Sequence, residues 1–382
     1  MQGFYEFFAG GGMARLGLGE NWYCLFANEL CEKKAEAYRL NFGPSQELRV
    51  EDVAKLTAGD LPGCATLAWA SFPCQDLSLA GNGKGLNGAR SGSFHAFWEL
   101  IQALNADGRG VPIVVLENVP GAITSNAGQD FRRILEIVTA AGYRVGPVVL
   151  DAARFVPQSR ARLFIVAVKR DVPLPPPLTQ GESSVAWHSN ALLTAYRNLP
   201  ESLKELWVWW RLPEPPRMTA GITELIEVEA QELPWHTAEE TQQLLSLMSR
   251  TNREKVRKAQ AYGKPIAGTI YKRIRTGEDG IRMQRAEVRF DQISGCLRTP
   301  TGGSSRQLII VVNGNSIRSR LLSPREAARL MGVPESYQLP EKYNEAYHLM
   351  GDGLAVPVVR WLEQHLLSPL SQLVHQHAIK VA

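Results

Sequence analysis

The chain has no CxxC pair, and its five cysteines (Cys24, Cys31, Cys64, Cys74 and Cys296) are odd in number and widely spaced over 382 residues. That spacing argues against a disulfide framework and a thiolate-rich zinc site, and no metal is expected. No apolar run approaches the roughly 20 residues a membrane-spanning helix needs, so no membrane partner is predicted. Met1-Gln2-Gly3 leads straight into Phe4-Tyr5-Glu6-Phe7-Phe8, without the regions of a signal peptide. GxxxxGK is missing as well, which removes the phosphate-cradling loop of the NTPases. No internal repeat or low-complexity tract occurs. These absences describe a protein expected in a reducing cytoplasm, with the monomer as its expected state.

Charge is modest, at 21% of residues and net +4, but it is unevenly placed. Between Arg250 and Arg289 twelve basic residues stand against four acidic ones, which leaves the remainder slightly acidic. A polarised basic segment suits a polyanion, most often nucleic acid, although a solvated helix face would carry the same charges.

The length is enough for two domains. Residues 1–172 alternate short apolar strands with amphipathic helices. Strands are predicted at Gly3–Phe8, Trp22–Ala27, Thr66–Ala70, Ile113–Leu116, Arg144–Leu150 and Leu163–Val168. Helices are predicted at Leu30–Asn41, Ser93–Asn105 and Asp130–Ala141. That alternation indicates an α/β fold with a mostly parallel sheet and helices on both faces. The pattern stops at Val172-Pro173-Leu174-Pro175-Pro176-Pro177, a stiff extended stretch. A second, smaller domain is expected over 180–320, holding Trp207, Trp209, Trp210 and the basic segment. Trp207 and Trp209 are read as core. Residues 321–368 are expected to return to the first domain. There Ser323-Pro324-Arg325-Glu326 reads as a capped helix start, and Leu354–Leu367 as an amphipathic helix.

Four short stretches carry chemistry. Phe8-Ala9-Gly10-Gly11-Gly12 follows the first strand, where glycines permit a tight turn and close backbone approach to a ligand. Glu29 ends the second strand, a place where carboxylates bind ribose hydroxyls, and Asp52 beyond it could reach an adenine amino group. A nucleoside-bearing cofactor fits these better than a phosphate-bearing one, though simple packing would also explain the turn. Pro73-Cys74-Gln75 follows a strand and precedes a glycine-rich loop, Asp76–Gly92, suited to closing over a substrate. A thiol there needs activation, since its unperturbed pKa is about 8.5. Glu117-Asn118-Val119 puts a carboxylate at the carboxyl edge of an otherwise apolar strand, where ligands bind in such sheets. Gln158-Ser159-Arg160-Ala161-Arg162 leads into another strand. Arg160 and Arg162 are expected to diverge, one approaching the site and the other meeting a phosphate or a structural carboxylate. The sequence leaves open which is which.

In their order and context these stretches, with Leu322-Ser323-Pro324-Arg325-Glu326 and Gly351-Asp352-Gly353-Leu354, resemble the bacterial-type DNA (cytosine-5)-methyltransferases. The likeness runs from Phe4 to Leu362, except for the middle domain. It implies a Rossmann-like methyltransferase fold with S-adenosylmethionine as cofactor, and a target-recognition domain in the middle. It implies Cys74 as nucleophile on C6 of a flipped cytosine and Glu117 as the hydrogen-bond partner of N3. Arg162 is similar to the arginine that supports the cytosine oxygen, with Arg160 its neighbour. Cofactor contacts implied are Phe8, Gly10, Gly12, Glu29, Asp52, Pro73 and Asp352. DNA contacts implied are Gln75, Ser78, Arg90, Gly302 and Gly303. The chain departs from the family in having Glu6 for the usual aspartate, Leu77 for a phenylalanine, and Asp352-Gly353-Leu354 for asparagine-serine-valine. Double-stranded DNA is the implied partner, and a cognate restriction endonuclease sharing the target site a further one. Two rivals remain: tRNA cytosine-5 methylation, which goes with a shorter middle domain, and a non-catalytic DNA-binding protein on the same scaffold.

Overall fold

The computed structural model describes residues 1–44, 46–73, 92–215, 218, 220–227, 233–276, 280–299 and 306–381. These form two compact units. The first comprises Met1–Asp151, Ala161–Pro215 and Val358–Ala382, and the second Ala152–Arg160 with Pro216–Pro357.

The first unit is built on seven strands: β1 (Gln2–Phe7), β2 (Trp22–Glu29), β3 (Leu48–Val50), β4 (Leu67–Ala70), β5 (Ile113–Asn118), β6 (Tyr143–Asp151) and β7 (Ala161–Lys169). They lie in the order β3-β2-β1-β4-β5-β7-β6. The first five pair in parallel, whereas β7 runs antiparallel to both β5 and β6. The sheet is therefore mostly parallel, as the alternation predicts. Apolar content alone does not encode the direction of β7. It follows from the short connection after β6, too short for a parallel crossover.

Among the described residues four α-helices intervene between these strands: α1 (Met13–Leu18), α2 (Glu32–Phe42), α3 (Gly92–Ala106) and α4 (Gln129–Ala140). Successive strand residues face opposite ways. On one sheet face Tyr5, Phe7, Ala68, Val114, Leu116, Leu163 and Ile165 form a core with Phe94, Phe97 and Trp98 of α3 and Ile134 of α4. The opposite parity, which includes Glu6, Glu117 and Arg162, is thereby left on the other face.

Beyond β7 the first unit continues through β8 (Thr179–Gln180), α5 (Asn190–Arg197), α6 (Glu201–Lys204) and β9 (Trp209–Trp210). The tryptophans expected with the middle domain lie here. Trp207, Trp209 and Tyr196 form a ring cluster, and Trp210 donates its indole N–H to the Gly146 carbonyl at 2.8 Å. A Cβ at Gly146 would fall 2.0 Å from that indole nitrogen, so the glycine makes the close approach possible. The reading of Trp207 and Trp209 as core agrees with this packing.

In the second unit α7 (Ile222–Leu225), α8 (Ala238–Ser246) and α9 (Arg250–Gln260) accompany an antiparallel sheet. Its strands are β10 (Ile266–Thr276), β11 (Arg282–Arg289), β12 (Leu308–Asn313) and β13 (Ser316–Leu321), in the order β11-β10-β12-β13. Leu244, Met248 and Val256 pack on Ile270, Ala286, Val288 and Ile310. The segment continues into α10 (Pro324–Leu330) and α11 (Tyr343–Asp352). Ser323 accepts the Glu326 amide, and Glu326 accepts the Ser323 amide in return.

α12 (Val356–Leu362) leads through a π-helical turn to α13 (Ser368–Val381). Arg360 donates to the carbonyls of Gly17 and Leu16, each at 3.0 Å, and the Trp22 indole donates to Glu363 at 3.1 Å. No helix among the described residues is long and apolar enough to cross a membrane.

Candidate active site

Because β1, β2, β4 and β5 are parallel, their carboxyl ends share one edge of the sheet. β7 is antiparallel, so its first residues come to that same edge. The glycine-rich turn after β1, Glu29, Pro73, Glu117 and Arg162 all lie along it.

Register explains the central pair. Glu117 stands opposite Phe164, which makes Arg162 its diagonal neighbour on the same face. Arg162 Nε lies 3.0 Å from Glu117 Oε1, with side-chain exposures of 16% and 10%. The guanidinium also donates to the Ala161 carbonyl at 2.9 Å. A carboxylate held this way has a fixed direction and a free second oxygen edge for a substrate.

Asn118 fastens the neighbouring strand exit. Its amide donates to the buried Phe72 carbonyl at 3.2 Å, and its oxygen accepts the Val119 amide at 2.9 Å. The chain leaving β4 toward Pro73 is thus tied to the end of β5. The sequence reading gave Asn118 no role; its one signal was a polar residue closing a buried strand. Cys74, Gln75, Ser78, Arg90, Gly302 and Gly303 lie outside the described residues.

Arg160 is placed differently from Arg162. Residues two apart on a strand would share a face, but β7 begins only at Ala161. Arg160 belongs to the connection and the second unit, where it is 2% exposed. Its guanidinium donates to the carbonyls of Leu297 at 3.1 Å, Gly351 at 2.9 Å and Gly353 at 2.6 Å. Gln158, wholly buried, likewise donates to Leu330 and accepts from the Leu297 amide. Both residues organise backbone rather than meet Glu117.

At the first turn, Phe8, Gly10 and Gly12 all have left-handed backbones, with φ of 59°, 58° and 76°. At Phe8 this is strained and was not visible in the sequence. A Cβ at Gly10 would meet nothing within 4 Å, so the turn is open on that side. At Gly12 it would fall 2.2 Å from the Phe42 ring. Glu29 Oε2 accepts the Gly10 amide and Oε1 the Cys31 amide, both at 2.8 Å. Each oxygen keeps a lone pair for a further donor. Asp52 Oδ1 accepts the Ala54 amide at 3.0 Å and caps a short turn beyond β3. An open glycine turn beside a carboxylate that can still accept suits an adenosyl group with its ribose diol. Asp352, in the second unit, accepts the Thr299 hydroxyl.

Glu6 lies beneath the turn and is 1% exposed. Its Oε1 accepts the Arg15 amide at 3.3 Å, while Oε2 has no hydrogen-bond partner among the described residues. Burial pushes its carboxyl up to about 8, more than the Arg15 amide and guanidinium pull it down. Nearby, Cys24 is pushed up to about 12, again chiefly by burial, so it is an inert thiol.

The sheet order and this edge are those of S-adenosylmethionine-dependent methyltransferases. Solved structures share the fold, among them the following two. S. pombe Dnmt2 methyltransferase matches with a TM-score of 0.57 at 20% identity, over 97% of this chain and 99% of that one. A putative DNA modification methyltransferase encoded within a prophage of E. coli matches with a TM-score of 0.55 at 16% identity, over 96% and 99%. Residues 3–368 match the model of the C-5 cytosine-specific DNA methylase family, and the chain belongs to that family. It is a DNA (cytosine-5)-methyltransferase, and DNA is its substrate. Among relatives, Type II methyltransferase M.DsaV of Dactylococcopsis salina is 26% identical over 99% of this chain and 89% of its own length. Type II methyltransferase M.HpaII of Haemophilus parainfluenzae is 27% identical over 97% and 90%.

Proposed function

We propose that the chain methylates C5 of a cytosine flipped out of a short duplex sequence, with Cys74 as covalent nucleophile and S-adenosylmethionine as donor. The observation that carries this reading is the buried Glu117, paired with the half-buried Arg162 beside the strand exit leading to Cys74.

The ring carbon C5 is a weak nucleophile until a thiolate adds next to it. Cys74 forms the bond to C6, and Glu117 at N3 supports uptake of a proton there, so electron density reaches C5. Arg162 supports the cytosine oxygen while orienting Glu117. Once C5 carries the methyl group, its proton passes to water, the C5–H electron pair re-forms the ring double bond, the bond from Cys74 to C6 breaks to release the thiolate, and N3 gives back its proton. S-adenosylmethionine, when bound, supplies the electrophilic methyl group. Phe8, Gly10 and Gly12 give it room, Glu29 accepts from its ribose, and Asp52, Pro73 and Asp352 complete the contacts. Arg160 acts as a positioning residue.

A base inside a duplex is unreachable, so the cytosine must leave the stack at a cost of a few kcal/mol. Gln75, Ser78 and Arg90 would hold the opened state, with Gly302 and Gly303 near phosphate. Of residues 180–320, the part from Pro216 on, which belongs to the second unit, serves as the target-recognition domain, and the first unit forms the catalytic body. The Type II relatives support a restriction–modification setting in the cytoplasm, where a cognate endonuclease shares the target.

Bisulfite sequencing of a host genome expressing the protein tests the reaction. Cytosines protected from deamination at one short sequence are expected; the absence of any protected cytosine overturns it. A 5-fluorocytosine duplex with S-adenosylmethionine tests the nucleophile. Wild type should form a covalent adduct, whereas Cys74→Ser should form none and still bind DNA. An adduct with the serine variant would remove Cys74 from the mechanism.

A further inference from the structure

The chain stays in line with its neighbours for a step beyond the end of β4. The Ser71 amide donates to the Phe7 carbonyl of β1 at 3.4 Å, and the Phe72 carbonyl accepts from Asn118 of β5. Ala70 pairs with Leu116, so Ser71 comes level with Glu117. The two share a face. Ala68 and Ala70 belong to the core on one side of the sheet, as Val114 and Leu116 do, which leaves Trp69, Ser71 and Glu117 on the other.

The Ser71 hydroxyl has a fixed direction. Trp69 is wholly buried and donates its indole N–H to Ser71 Oγ at 3.0 Å. The same indole meets the ring of Phe164 edge-on, and Phe164 stands opposite Glu117. An indole only donates, so the serine oxygen must accept there. That leaves Oγ one lone pair, and among the described residues nothing else donates to it. Ser71 is half-buried, with room for a ligand to reach it.

The adjacent strands β4, β5 and β7 thus present a hydroxyl, a carboxylate and a guanidinium in that order on one face. The pairing edge of cytosine carries an amine at N4, then N3, then the oxygen at C2. With Arg162 at that oxygen and Glu117 at N3, the amine falls on the β4 side. The reverse orientation would set a guanidinium, which only donates, against the amine. We infer that Ser71 Oγ accepts a hydrogen bond from the N4 amine of the flipped cytosine and is a specificity-determining residue for that base. The inference rests on the cytosine-methylating reading and adds the amine to its contacts. As N3 gains a proton the amine becomes a stronger donor, so the bond tightens while Cys74 adds.

The test uses the full-length protein and two duplexes carrying the methylated sequence. One holds 5-fluorocytosine at the target position, the other 5-fluoro-2-pyrimidinone, which has hydrogen in place of the amine. With S-adenosylmethionine present, the rate of covalent adduct formation is read on denaturing gels. Ser71→Ala should slow roughly 3- to 10-fold on the cytosine duplex and be within about twofold of wild type on the pyrimidinone duplex. Losing the hydroxyl also strands a buried indole N–H. Ser71→Ala combined with Trp69→Phe removes donor and acceptor together, and should show the same contrast between duplexes. Equal slowing on both duplexes, or none on either, overturns the inference, whichever variant folds. A wild type that traps neither duplex overturns the functional reading itself, and the contact with N4 falls with it.

Discussion

Glu117 and Arg162 meet because β7 is antiparallel to β5. The register that sets Glu117 opposite Phe164 leaves Arg162 one diagonal step away, at 3.0 Å. Had β7 run parallel, its first residue would stand at the far edge of the sheet, and the carboxylate would have no cation.

Removing either member should therefore affect rate and stability differently. Glu117→Gln keeps shape and is expected to lower kcat by about 10²–10⁴, the range for a lost proton-handling group. Arg162→Ala leaves a mostly buried carboxylate without its cation. A fully buried pair broken this way costs about 3–5 kcal/mol, and this slightly exposed one less. Single-turnover rates and thermal melts check both. A melting temperature that falls equally in the two variants would contradict the distinction.

The carboxyl of Glu6 should govern how stability varies with pH. It keeps its proton to about 8 in the folded protein, against 4.5 in a free chain. Between those values the folded state holds the additional proton. Its contribution is fully present below about 4.5 and is lost as pH rises through about 8, by up to about 1.4 kcal/mol per unit. Glu6→Gln keeps an acceptor for the Arg15 amide and removes the titration. Its melting temperature should match wild type at pH 5 and exceed it at pH 8.5. Parallel curves for the two proteins would mean that Glu6 is not the responsible group.

The glycines of the first turn should separate in a substitution test. Gly10→Ala meets no neighbour, so its cost is the left-handed backbone, about 1–2 kcal/mol. Its main effect should be weaker binding of S-adenosylmethionine, read by calorimetry. Gly12→Ala drives a methyl into the Phe42 ring and should lose well over that in stability. Equal melting temperatures for the two variants would refute the contrast.

Arg160→Met should act on the second unit rather than on the chemistry. It withdraws a buried guanidinium from three backbone carbonyls. Hydrogen bonds to charged groups contribute about 1.5–3 kcal/mol each, so a marked fall in thermal stability is expected. With the folded fraction taken into account, the chemical step should be within a few-fold of wild type. A larger loss would place Arg160 beside the substrate.

Much of the first unit was legible because buried parallel strands are near-continuous apolar runs, as at Val114–Leu116 and Leu163–Val168. Leu48–Val50 escaped because three residues, none of them buried, carry no such signal. The site was legible where a charge interrupts an apolar strand, as at Glu117. What separates Arg160 from Arg162 is the residue at which pairing starts, and composition does not carry that. Nor could it show that Trp207, Trp209 and Trp210 pack beside β6, since an indole looks the same in either core.

Arg360 reaches Gly17 and Leu16 across more than three hundred positions of chain. A ribosome makes the cofactor turn early and its Arg360 clasp long afterwards. The seven strands are all made by Lys169, yet the helix that follows the cofactor turn still waits for Arg360. A stop codon just before Val358 should consequently abolish the enzyme, although it leaves every proposed catalytic side chain encoded.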